Sequence, residues 1–131
     1  MAEEQVDYDG CSPDQRDLAL DALAAHSSAI HAELLRAVAA ADRTQDYGAD
    51  GALTMADWLA YRYQLSPLAA RQWVRAAVAL EEMPLLRARY AGGHIGFEAL
   101  MQVLSFAAPD DDAKLAELLP SLGYASVEAI A

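Results

Sequence analysis

Arg71 and Arg75 stand four residues apart with Gln72 between them. On a helix that spacing sends both guanidinium groups off one face. Arginine forks fit phosphate oxygens and guanine edges, and glutamine fits adenine edges. If the helix that holds them enters a major groove, Arg71, Gln72 and Arg75 form a nucleic-acid contact, and double-stranded DNA is the partner it implies. The competing reading is a solvated face, with Arg75 near Glu82 and Arg71 pairing with acids of the N-terminal tail.

The other chemistry-bearing residues point to structure. His26 and His31 are five apart, so on a helix they lie ~140° apart and cannot share one metal ion as i, i+4 histidines do. Both are expected to be partly buried beside an apolar stripe. His94 follows Gly92-Gly93 in a turn, with no serine, cysteine or acid pattern that would complete a triad. Asp110-Asp111-Asp112 is read as an acidic helix start, favourable against the helix dipole; a calcium loop would need alternating ligands around a central glycine. Cys11 is the sole cysteine, so the chain has no internal disulfide and no CxxC metal motif. Arg62 falls among Met55, Trp58 and Leu59 on an apolar face; there a cation needs a partner, must snorkel, or favours a helix C-terminus. Trp58 and Trp73 are expected in the core. No catalytic constellation, metal site or cofactor site emerges, and the expectation is a non-enzyme.

Helices must position these groups. Thirty of the 131 residues are alanine, the residue that costs least in a helix, and no period-two strand pattern occurs. Ser12-Pro13-Asp14-Gln15 combines a cap, a first-position proline and a capping-box glutamine. The helix it opens should run to about Arg43, with Leu23, Ile30, Leu34, Val38 and Ala41 on one apolar face. Residues 45–53, QDYGADGAL, read as a loop. Thr54 caps a short helix from Met55 to Tyr63, Gln64-Leu65 turn, and Ser66-Pro67 open a third helix to about Glu82. That third helix has Trp73, Ala76, Ala77 and Leu80 on its apolar side and Arg71 and Arg75 on the other. Pro84 stops it. One or two turns follow from Leu85 to Tyr90, ended by Gly92-Gly93. Ile95 to Phe106 is another helix, with Phe97, Leu100, Met101 and Leu104 on one face. The helix opened by Pro109 ends near Leu119-Pro120, and Ser126 to Ala131 reads as the first turn of one more.

The net charge of −11 opposes polyanion binding for the chain as a whole. Its distribution is uneven: −7 over residues 1–35, +1 over 36–89 and −5 over 90–131. Seven of the nine bases lie in the middle segment, so any contact with nucleic acid is confined there. No stretch approaches the ~20 apolar residues of a membrane helix. The N-terminus MAEEQVDYDG carries no targeting signal, and a cytoplasmic location is expected.

An ordered set of segments runs from residue 34 to about 105. It comprises Leu34-Leu35-Arg36-Ala37-Val38-Ala39-Ala40-Ala41-Asp42-Arg43, Met55-Ala56-Asp57-Trp58-Leu59-Ala60, Leu65-Ser66-Pro67 with Ala70-Arg71, Val74-Arg75-Ala76-Ala77, Ala79-Leu80-Glu81-Glu82-Met83-Pro84, and residues 93–98. In order and spacing this set resembles the actinobacterial domain of unknown function that precedes HNH endonuclease modules in mycobacteria and their relatives, including their repeat-element proteins. Two positions differ: Gln64 stands where the family often has glycine, and Leu100-Met101 where it usually has a small residue and an arginine. The resemblance implies an accessory domain of a DNA-processing protein. An HNH site needs histidines and an asparagine around a metal, and this chain has no asparagine, so a nuclease would lie downstream. Thr54 to Leu80 also has the layout of a DNA-binding helix-turn-helix, and Met83-Pro84 with Gly93-His94-Ile95 are similar in order to ParB-type partition proteins.

The expected architecture is therefore all-α: a compact bundle of about six helices with a long first helix and a helix-turn-helix-like centre. Residues 1–11 form an acidic flexible tail, and residues 12–131 form one domain, truncated at its C-terminus. Its function is DNA binding or targeting through the third helix, or alternatively protein interaction or oligomerisation, with the missing C-terminal half or a second copy as partner.

Overall fold

A computed structural model describes residues 5–121. Among them are six α-helices and no strand: α1 (Pro13–Arg43), α2 (Met55–Tyr63), α3 (Pro67–Glu81), α4 (Pro84–Ala91), α5 (Phe97–Leu104) and α6 (Asp112–Leu118). Single turns of 3-10 helix at Asp46–Asp50, Pro109–Asp111 and Leu119–Ser121 fill the connections. The expected extra turn at Ser126–Ala131 lies outside the described residues.

Local capping chemistry sets the boundaries. The Ser12 hydroxyl accepts from the Gln15 amide at 3.1 Å, and the Gln15 side chain accepts from the Ser12 amide at 2.8 Å. This reciprocal box satisfies two amides that an open helix start leaves orphaned. The tail leading into it is tied to α1: the Arg16 guanidinium donates to the carbonyls of Tyr8 (3.0 Å) and Cys11 (2.6 Å). At the other end of the chain α5 is shorter than the spacing suggested, because Gly96 serves as its N-cap and Ile95 is buried ahead of the helix.

The central helix is α3, which packs against α1, α2, α4 and α5, while α4 bridges α1 and α6. The core is built from Leu35, Leu59, Leu80, Leu86, Leu100 and Leu119, each almost fully shielded from solvent. Alanines make the close approaches: Ala32 and Ala39 of α1 and Ala70, Ala76 and Ala77 of α3 are all buried.

Of the residues expected on the buried face of α1, Val38 is buried, but the face as a whole is turned from the expected one. Ala32, Leu35, Val38 and Ala39 face the core. Leu23 and Ile30, expected on the buried stripe, are 52% and 70% exposed, and Leu34 and Ala41 are only partly covered. The alanine row lets α3 and α4 come close, so the bulkier row, roughly 130° around the helix at ~100° per residue, is left outside. No residue of α1 before Ala32 is buried.

Two long-range devices lock the short helices in place. Asp112, the one buried charged residue among those described, accepts from the Leu86 amide at 2.8 Å and the Leu85 amide at 3.0 Å. It thereby caps the N-terminus of α4 from the start of α6, where Met83 has no side-chain oxygen to offer. Between α4 and α5, Gly93 takes φ +82° and lies so close to α1 that a Cβ there would be 3.0 Å from the Ala25 Cα. Only glycine meets both demands at low cost.

Candidate nucleic-acid interface

The segment α2–turn–α3 is assembled from local signals. Thr54 Oγ1 accepts from the Asp57 amide at 3.0 Å and opens α2. Gln64 ends it in the left-handed region at φ 56°, ψ 44°, and the Leu65 amide returns to the Ala60 carbonyl at 3.0 Å. Ser66 Oγ then accepts from the Ala69 amide at 3.0 Å, and Pro67 occupies the first position of α3.

On α3 the inner side is Ala70, Ala76, Ala77 and Leu80. Arg71 and Arg75 are exposed on the outer side, as the i, i+4 spacing required, with Leu68 and Val78 exposed above and below them. Among the described residues neither arginine has a carboxylate within salt-bridge distance. Among the described residues Arg71 forms no bridge to Asp7 or Asp9 of the tail. Arg75 forms no bridge to Glu82, and the neighbouring Glu81 is held by Arg43 at 2.8 Å and Arg87 at 3.5 Å. Gln72 is half-buried and lines a cleft with Phe97, Glu98, Met101 and Gln102 of α5. The structure thus groups Arg71 with Arg75 and turns Gln72 toward α5.

Beside the turn lies a groove of about 760 Å³ lined by Asp50, Asp57, Trp58, Tyr61, Arg62 and Gln64, among others. The Trp58 indole N–H donates to Asp50 at 2.7 Å. Arg62 is exposed, with its guanidinium 4.8 Å from the centre of the Trp58 ring. The cation found its partner in an aromatic face, and Trp58 sits at the edge of the core. The Trp58/Arg62 spacing of four residues was the sequence signal for this pair; the anchoring by Asp50 had none.

The histidines part company. His26 is exposed, against the expectation of partial burial, because it lies on the side of α1 opposite its buried residues. His31 is half-buried in an aromatic box: Trp73 and Phe97 stand edge-on at 4.8 and 4.9 Å, and its Nδ1 lies 2.5 Å from the Tyr90 hydroxyl. Burial holds the His31 pKa below its ordinary 6.5 and pushes Tyr90 up to about 12. With His31 neutral, the Tyr90 O–H donates to the ring nitrogen. His94 is exposed in the turn after Gly93. Among the described residues no group of three histidine, cysteine or acidic side chains gathers to hold a metal ion, and no helix is long and apolar enough to cross a membrane.

No protein-family model, no curated protein and no solved structure matches this chain.

Proposed function

We propose that this chain is a helical accessory domain of a DNA-processing protein and that Arg71 and Arg75 of α3 contact duplex DNA. The observation that carries the reading is the pair itself. Two arginines share one exposed face of a helix set by a tight turn after α2, with no carboxylate of the described residues on either. Unpaired guanidinium groups keep their donors for phosphate oxygens or guanine edges. The acidic flanks, −7 over residues 1–35 and −5 over 90–131, repel phosphate and limit contact to the middle segment. The resemblance of residues 34–105 to the domain that precedes HNH nucleases supplies the context. In this reading the chain works in the cytoplasm beside a nuclease on the same polypeptide and cuts nothing itself.

The test is the salt dependence of binding to labelled duplex DNA by fluorescence anisotropy. Two phosphate contacts give a slope of about −1.8 in log K against log salt. Arg71→Ala with Arg75→Ala should remove that slope, and an unchanged slope would eliminate this site.

A second reading, a helical protein-interaction module, is favoured by one observation: α1 exposes Leu20, Leu23 and Ile30 on a stretch that has no buried residue. Apolar side chains held out from the core on a regular helix mark contact surfaces.

A further inference from the structure

The first half of α1 buries no side chain; it is held by its capping box, by the tail contacts of Arg16 and by the approach of Gly93 to Ala25. Isolated helical segments of this length are marginal in water and draw their stability from a packed face. Leu20, Leu23, Ser27, Ile30 and Leu34 follow one another at steps of three, four, three and four, the seam spacing of paired helices. Leu20 is 64% exposed, Leu23 52% and Ile30 70%. At the open end of this row Tyr8 closes a cleft of about 140 Å³ with Arg16, Ala19, Leu20 and Leu23.

Charge decides what covers the row. Asp14, Asp17 and Asp21 follow at i, i+3 and i+4 spacing on the side of α1 that, further along, faces the core, and Asp17 is the i, i+3 neighbour of Leu20. Asp7 and Asp9 bracket Tyr8. The single base among residues 5–35 is Arg16, and its guanidinium is spent on the carbonyls of Tyr8 and Cys11. None of these five aspartates has a cationic partner among the described residues. A second copy would bring the same carboxylates and a net charge of −11, so repulsion works against self-pairing.

We propose that the Leu20–Leu23–Ile30 row of α1 is the docking face for a basic amphipathic helix of another protein. The proposal rests on the interaction-module reading and is independent of DNA contact by α3. Leucines of the incoming helix close over the row, and its flanking lysines or arginines reach Asp17 beside Leu20 and the tail aspartates Asp7 and Asp9 beside Tyr8, a helix-in-groove mode with complementary charge at that end.

The test uses the full chain and a labelled peptide of roughly 18 residues, about 27 Å of helix, with leucines at helical spacing and lysines elsewhere. A twin peptide with glutamates in place of lysines is the control. The lysine peptide should bind at least about tenfold tighter than its twin, and Leu20→Gln with Leu23→Gln and Ile30→Gln should weaken it by about tenfold or more. Glutamine sustains a helix nearly as well as leucine, and circular dichroism of the variant checks that α1 persists. Undiminished binding by the variant would reduce the effect to charge attraction and overturn the proposal. A dimer in sedimentation that the variant dissolves would make a second copy the occupant: the partner class falls and the interaction reading survives. A monomer that binds neither peptide would bring down both.

Discussion

Replacing Asp112 with alanine removes the cap of a helix to which Asp112 does not belong. At the start of α4, Pro84 has no N–H, so the orphaned donors are the amides of Leu85 and Leu86, and both go to the Asp112 carboxylate, at 3.0 and 2.8 Å. Leu85 is half-exposed, and water can replace its lost partner, so that bond contributes about 1 kcal/mol, as a surface cap does. Leu86 is 0% exposed, and its amide would be left buried without an acceptor, at a cost of about 2 kcal/mol. The sum is about 3 kcal/mol, or a fall in Tm of about 12 °C at roughly 4 °C per kcal/mol for a domain of this size. Asp112→Asn keeps one acceptor oxygen and should lose about half as much. Thermal and urea unfolding followed by circular dichroism would measure both. A loss below about 1 kcal/mol for the alanine variant, or equal losses for the two variants, would refute the inter-helix cap.

Other outcomes follow from the same structure. The His31–Tyr90 pair makes stability pH-dependent at both ends. His31 titrates below its ordinary 6.5 in the folded chain, so the unfolded chain takes up the proton first and stability falls as pH drops below 6.5; His31→Gln should flatten that limb of a stability–pH profile. Tyr90, raised from 10.0 to about 12, stabilises fully below pH 10, and that contribution is lost as pH rises from 10 toward 12; Tyr90→Phe should flatten the alkaline limb. Gly93→Ala forces a side chain into φ +82° against the Ala25 backbone and should cost about 2 kcal/mol in urea unfolding. Gln64→Gly removes left-handed strain at φ 56° but adds unfolded-state freedom, for a net gain of about 0.5 kcal/mol.

Legibility in the sequence followed the range of the interactions. Ser12 with Gln15, Thr54, and Ser66 with Pro67 mark helix starts within three residues, and α1, α2 and α3 begin where they indicate. The i, i+4 geometry of Arg71 and Arg75 was equally local. The buried face of α1 was not legible, because an alanine-rich helix offers two apolar rows: Leu23–Ile30–Leu34 wins on hydrophobicity and Ala32–Leu35–Ala39 on closeness of approach. Packing density chose the second. Asp112 read as an ordinary helix start, since its partners are 26 and 27 residues away and no spacing rule reaches that far. Gln72 was assigned to the arginine face because only α5, docked from elsewhere in the chain, draws it away.

The central claim, that α3 is the DNA-facing element, is tested most directly by mapping backbone amide shifts of the labelled chain during titration with a short duplex at low salt. The largest shifts are expected at Arg71 through Arg75 and in the turn at Gln64–Ser66, absent in the Arg71→Ala/Arg75→Ala variant. Shifts confined to α1, or none at low salt where phosphate attraction is strongest, would contradict it.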